Sequence, residues 1–140
     1  MTDSILRTLA GSNEPSIRYR VLTELSDTPP DSADAKRAQK NVMSSERVAR
    51  LLAERQADGR LPYHPYAKWH GAHWVLVALA DLGYPPGDRK LIPLREQVFD
   101  WLLGKEHLDS IRTIRGLVRI HASQEGNALY TQLRLGLADE

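Results

Sequence analysis

Apolar residues along this chain recur three and four positions apart almost everywhere. Period-two alternation between turn residues is hard to find, so the pattern predicts helices throughout. The first helix starts after Asp3 or Ser4 as cap, turns Ile5, Leu6 and Leu9 inward and stops at Gly11, where a left-handed terminal residue costs glycine least. The second runs through "NEPSIRYRVLTELSD". Pro15 suits its first turn, Val21, Leu22 and Leu25 share a face with Arg18, and Pro29 and Pro30 bar continuation. "DSADAKRAQKNVMSS" has only the thin stripe Ala35, Ala38 and Val42, so this third helix belongs on the outside. A fourth, from Ser45, buries Val48, Leu51 and Leu52 and extends to the "ADG" turn at Gly59.

A proline-bearing loop then leads to "YHPYAKWHGAHWVLVALADLG", in which residues 74–80 are apolar on every side. A helix with no polar face has to be enclosed by others, so this is the central one. "LIPLREQVFDWLL" is one-sided through Leu94, Val98, Trp101 and Leu102, with Pro93 in its first turn. After a loop through Arg115, "SQEGNALYTQLRLGL" forms the last helix, with Leu129, Leu133 and Leu137 spaced for one face. The expectation is a single all-α domain over residues 1–140, with six to seven helices stacked as antiparallel pairs.

The two halves also echo each other. "LLAERQADG" from Leu51 is answered by "LLGKEHLDS" from Leu102, an offset of 51, and "ALADLGY" from Ala78 by "TQLRLGL" from Thr131, an offset of 53. An amphipathic helix, a loop and a second helix ending in Leu-Gly is the layout of a helical-pair repeat, in which only the inner helix of each pair is covered on all sides.

With these segments, "LLAERQADGRLPYHPYAKWHGAHWVLVALADLG" above all, the chain resembles the α/α-toroid proteins, the squalene-cyclase and protein-prenyltransferase group with its bacterial relatives. "QADGRL" approximates that group's glutamine-tryptophan repeat, with one residue fewer before Asp58 and Leu61 where tryptophan is expected. The resemblance implies a partial toroid, since the chain has too few helical pairs to close a ring. It also implies inner-helix ends that face an apolar or isoprenoid-like ligand. The Asp-x-Asp-Asp proton donor of the cyclases is missing, and the prenyltransferase zinc site needs a cysteine that this chain lacks. The implied protein is therefore a catalytically incomplete relative without a cofactor. A helical-repeat module that takes up a protein on the same surface is the other class the pattern allows.

Charge and composition narrow this further. Nineteen Lys and Arg against eighteen Asp and Glu give a net charge of +1, which offers no bulk attraction to nucleic acid or an anionic membrane. Arg112, Arg115 and Arg119 in "SIRTIRGLVRI" read as a solvated face, so no nucleic-acid partner is expected. Absence of cysteine fits a reducing, cytoplasmic setting, and the longest apolar run, "WVLVALA", is far too short to span a membrane.

Candidate chemistry concentrates in Tyr63–Gly83, which holds three of the five histidines and two of the three tryptophans. His70 and His73, three apart at a helix start, would lie on one side with His64 nearby. Zinc wants three or four ligands and a carboxylate behind them, so no metal is expected. Two readings stay open. In the first the rings simply pack, with their polar tips on backbone or water. Alternatively Tyr63, Tyr66, Lys68, Trp69, His70, His73 and Trp74 line a ligand site, joined by Glu125 and Asn127 from the equivalent turn of the last helix. Glu125 has the competing role of a carboxylate at a helix N-terminus. Finally, the last helix ends without a polar cap on the stack. Leu129, Tyr130, Leu133, Leu135 and Leu137 are then expected to expose an apolar flank that a homodimer would cover.

Overall fold

The computed structural model describes residues 2–119 and 121–138. Among the described residues the chain is helical, with eight α-helices and a single two-stranded hairpin, in line with the all-α expectation. It divides into two compact units, Met1–Ala53 with Leu79–Pro85, and Glu54–Ala78 with Pro86–Glu140.

The first unit holds α1 (Thr2–Ala10), α2 (Pro15–Arg20), α3 (Ala33–Met43), α4 (Glu46–Leu51) and the last turn of α5 (Ala72–Leu82). Pro15 opens α2 as expected, and Ser32 and Ser45 cap α3 and α4 by accepting from the backbone N–H of Ala35 and Val48. Tyr19, Val21, Ala35, Val42, Val48, Leu79, Ala80 and Tyr84 are its buried apolar residues. Tyr19 lies against Gly83, where an added Cβ would stand 2.6 Å from the ring, and Gln39 donates to its hydroxyl at 3.3 Å. Arg20 donates through Nε to the carbonyl of Asp81 at 3.2 Å, tying the last turn of α5 to this unit.

Three details differ from the pattern. Residues Asp3 and Ser4 lie inside α1 rather than capping it, and Ile5 is exposed while Leu6 and Leu9 are half-buried. α2 passes directly into a π-helical stretch, Val21–Leu25, whose wider turn rotates the following side chains; Val21 is buried, Leu22 half-buried and Leu25 exposed. α4 stops at Leu51, with Leu51 and Leu52 half-buried, and residues 52–59 are turns. The cause is local: the carboxylate of Asp58 accepts from the N–H of Arg60 at 2.9 Å, and Gly59 takes φ +83°, so "ADG" forms its own turn instead of a last helical one.

The second unit holds the first two turns of α5, a 3₁₀ turn at Arg89–Leu91, α6 (Ile92–Leu102), α7 (Lys105–Ser110), β1 (Arg112–Ile114), β2 (Leu117–Arg119) and α8 (Ala122–Arg134). Its buried residues include Leu61, Ala72, Val75, Leu76, Leu91, Leu94, Val98, Leu102, Ala128, Leu135 and Leu137. α7 and the hairpin occupy what the pattern leaves as loop. β1 and β2 pair antiparallel with Ile114 opposite Leu117, so Arg115 and Gly116 alone make the turn. Both have left-handed φ, +52° and +77°, the type I′ geometry that matches strand twist. α8 is turned from the expected face. Gln124, Ala128, Thr131, Gln132 and Leu135 point inward, while Leu129 and Leu133 are 62% and 68% exposed. The expected five-residue apolar flank is therefore smaller, because Leu135 and Leu137 are buried.

The internal echo acquires a physical cause at one of its two places. Tyr84 N–H donates to Leu79 and Gly83 N–H to Ala80 at the end of α5. Leu137 N–H donates to Gln132 and Gly136 N–H to Leu133 at the end of α8. Both are Schellman caps with a left-handed glycine and a buried apolar residue after it. "LLAERQADG" and "LLGKEHLDS" do not match in structure: the first is mostly turns, whereas the second contains the whole of α7.

Candidate functional site

The segment that carries the aromatic and histidine residues is folded onto the start of α5 by backbone contacts. Pro65 places a carbonyl where it accepts from His73 N–H at 3.0 Å, satisfying a donor that the helix start leaves free. This approach leaves no room at position 71, where a Cβ would stand 2.4 Å from the Pro65 oxygen and 2.5 Å from that of His64; only glycine fits. Ahead of this turn, the side chain of Gln97 on α6 acts as a clamp. Its Oε1 accepts from Leu61 N–H at 3.0 Å, and its Nε2 donates to the carbonyls of Leu61 at 2.8 Å and Tyr63 at 3.1 Å. Trp69 is held at φ +71°, a conformation costing a non-glycine residue about 1–2 kcal/mol, beside an exposed indole.

Seven of the rings form one connected cluster, and Tyr63 with His70 makes a separate pair beside it in sequence. Tyr66 stacks on Trp101 with centroids 5.1 Å apart and touches His73 at 5.0 Å and Trp74 at 5.5 Å. His73 meets the edge of Trp74 at 5.3 Å and of Trp101 at 6.2 Å. Trp69 lies 5.2 Å from Trp74, with Lys68 Nζ 5.2 Å above its ring, and Tyr63 lies 5.7 Å from His70. His64 and His107 flank Trp101 at 5.6 and 4.9 Å. Exposure is graded. Tyr63, Lys68, Trp69 and His70 are open to solvent, Tyr66, Trp74 and Trp101 are half-buried, and His73 is 2% exposed.

His73 is the chemical centre of this arrangement. Its Nδ1 and Nε2 are both buried without a hydrogen-bond partner, as is Trp74 Nε1. Burial also holds its pKa below the ordinary 6.5, so the ring is neutral, with one nitrogen able to donate and the other to accept. Three rings, Tyr66, Trp74 and Trp101, lie against it, and among the described residues no carboxylate or hydroxyl hydrogen-bonds to its nitrogens to orient it as a general base would be oriented. At the rim, Tyr63 hydroxyl donates to Glu54 at 2.8 Å, and the neighbouring carboxylate raises the Tyr63 pKa.

Seven of the expected residues are thus brought into one segment: Tyr63, Tyr66, Lys68, Trp69, His70, His73 and Trp74. Glu125 and Asn127 are on α8, and no described hydrogen bond or ion pair ties them to the rings; Glu125 Oε2 is buried without a partner, together with Gln124 Oε1 and Gln132 Oε1. His70 and His73 do not share a helix face. α5 begins only at Ala72, so His70 stays in the preceding turn against Tyr63 while His73 points inward. Among the described residues no three His, Asp or Glu side chains converge as metal ligands. Sequence reasoning misses Trp101, His107 and Gln97. Trp101 is legible only as one more apolar position of a one-sided helix, although it touches four members of the cluster. No family model, curated protein or solved structure matches this chain.

Proposed function

We propose that the chain is a non-catalytic ligand-binding domain and that the ring cluster around His73 is its site. The observation that carries this is the imidazole of His73, 2% exposed, walled by Tyr66, Trp74 and Trp101, with both nitrogens unpartnered. A buried polar group without a partner costs about 1–3 kcal/mol, and a ligand that pairs with it recovers that cost. The aromatic wall favours an apolar body, in keeping with the resemblance to toroids that bind isoprenoid-like molecules. His73 and Trp74 Nε1 call for one polar group on that body.

All three tryptophans of the chain belong to the cluster, so intrinsic fluorescence reports directly on it. Titration with farnesyl and squalene-like compounds is expected to give a saturable change that weakens in Trp69→Ala and Trp74→Ala. In His73→Phe, which keeps the ring and removes the nitrogens, the affinity for a hydroxyl-bearing farnesyl compound falls and that for a pure hydrocarbon does not. No saturable change, or one indifferent to these substitutions, overturns the proposal.

A second reading rests on a different observation: Leu129 and Leu133, four apart on α8, form an exposed stripe. Pairing of this stripe with a second copy gives the homodimer. Light scattering on the intact chain tests it, with Leu133→Asp expected to convert dimer to monomer; a monodisperse monomer of the unaltered chain at high concentration refutes it.

A further inference from the structure

The hairpin β1–β2 does not behave as part of a core. Ile114, Leu117 and Val118 are 45%, 73% and 63% exposed, and Arg112, Thr113, Arg115 and Gly116 are exposed as well. An isolated two-stranded hairpin is marginal in water, and none of the described side chains of this one, residues 112–118, is buried. Its register explains why no single protein surface suits it. Ile114 and Leu117 are directly opposite and share one face, while Val118, opposite Thr113, lies on the other. The tip is therefore apolar on both sides, as a wedge is.

Charge points to what surrounds the wedge. Residues 111–119 contain three arginines and no acidic residue, a local excess that the chain's net +1 conceals. No ion pair or hydrogen bond of the side chain is described for Arg112 or Arg115. Arg112 and Arg119 are opposite in the backbone register. From this basic pair to the Ile114–Leu117 pair is two residues, about 7 Å at a strand's rise. Interfacial elements bury their apolar face to about 5–10 Å below the headgroups. Arg115 at the turn has a side chain long enough to reach back to the same level.

We propose that the hairpin docks the protein onto an anionic lipid surface, with Leu117, Val118 and Ile114 inserted below the headgroups and Arg112 and Arg115 at the phosphates. A nucleic-acid backbone would answer the arginines alone and leave the apolar tip in water. A flat protein surface would cover one face of the tip and leave the other.

Flotation with vesicles of equal parts phosphatidylserine and phosphatidylcholine tests this. The intact chain is expected to float with these vesicles, to float poorly with phosphatidylcholine alone, and to be released by high salt. Each arginine contributes a factor of about five to partitioning, so Arg112→Gln with Arg115→Gln weakens it by about 25-fold. Leu117→Ser with Val118→Ser weakens it by more than about ten-fold at low salt. Because these side chains are exposed, circular dichroism and melting temperature should not change. In Leu117→Trp, the added emission should shift to the blue on vesicles. No flotation, flotation indifferent to the hairpin substitutions, or binding of duplex DNA or an acidic polypeptide in place of vesicles overturns the proposal.

Discussion

Replacing Gln97 by methionine keeps the length and volume of the side chain and removes its amide. The backbone N–H and carbonyl of Leu61, a residue only 4% exposed, then lose their partners, and the Tyr63 carbonyl loses its own. Leaving two buried backbone groups unpaired costs about 2–5 kcal/mol, after allowing the Tyr63 oxygen to take water instead. For a chain of this size each kcal/mol moves the melting temperature by about 3 °C, so Gln97→Met should lower it by roughly 6–15 °C. Gln97→Glu supplies an internal check. Its carboxylate still accepts from Leu61 N–H but faces two carbonyl oxygens as a charge. The loss is therefore largest at neutral pH and shrinks as acid protonates the new side chain and restores a donor. Thermal melts followed by circular dichroism at neutral and mildly acidic pH read both effects. A methionine variant melting within about 3 °C of the unaltered chain would refute the reasoning, because water would then be reaching groups taken to be sealed.

Gly83→Ala forces alanine to φ +82° and brings Cβ 2.6 Å from the Tyr19 ring, for a combined loss of about 2–5 kcal/mol by chemical denaturation. Gly116→Ala, with φ +77° and open space around its Cβ, should lose only the first part, about 1–2 kcal/mol. An equal loss at both positions would show that the ring plays no role. His73 titrates with the opposite sign to a paired carboxylate. The unfolded chain takes up its proton near pH 6.5 while the buried ring resists, so stability is whole above that pH and falls as pH drops below it. His73→Phe should flatten that slope by up to about 1.4 kcal/mol per pH unit, as read from melts at a series of pH values.

Helix positions were legible where apolar spacing and punctuation agreed. Pro15, Ser32, Ser45 and the Leu-Gly caps at Gly83 and Gly136 each act through the backbone within a few residues, so one sequence suffices to place them. Helix faces were less legible. Leu129 and Leu133 are as apolar as Leu135, and only the packing of the second unit turns Gln124 and Gln132 inward in their place. The hairpin was missed because its strands are three residues long, too short for period two to register, although "TIRGLV" holds the turn glycine between β-formers. In the ring cluster, the seven expected residues lie within twelve positions of sequence and were found together. Trp101 and Gln97 come from α6, a long-range meeting that spacing along the chain does not encode.

The composition of the first unit bears on the order of synthesis. It needs Leu79–Pro85 as well as Met1–Ala53, and the 25 residues between them are those that carry most of the rings. At about 5–20 residues per second, roughly 1–5 s separate translation of Ala53 from that of Leu79. During that interval Tyr19 has no Gly83 to lie against and Arg20 no Asp81 carbonyl to meet. A pause at any codon from 54 to 78 lengthens the time for which the nascent chain shows Tyr19, Val21, Val42 and Val48 to chaperones and to other chains, so synonymous changes in that stretch act on yield through a part of the protein they do not encode.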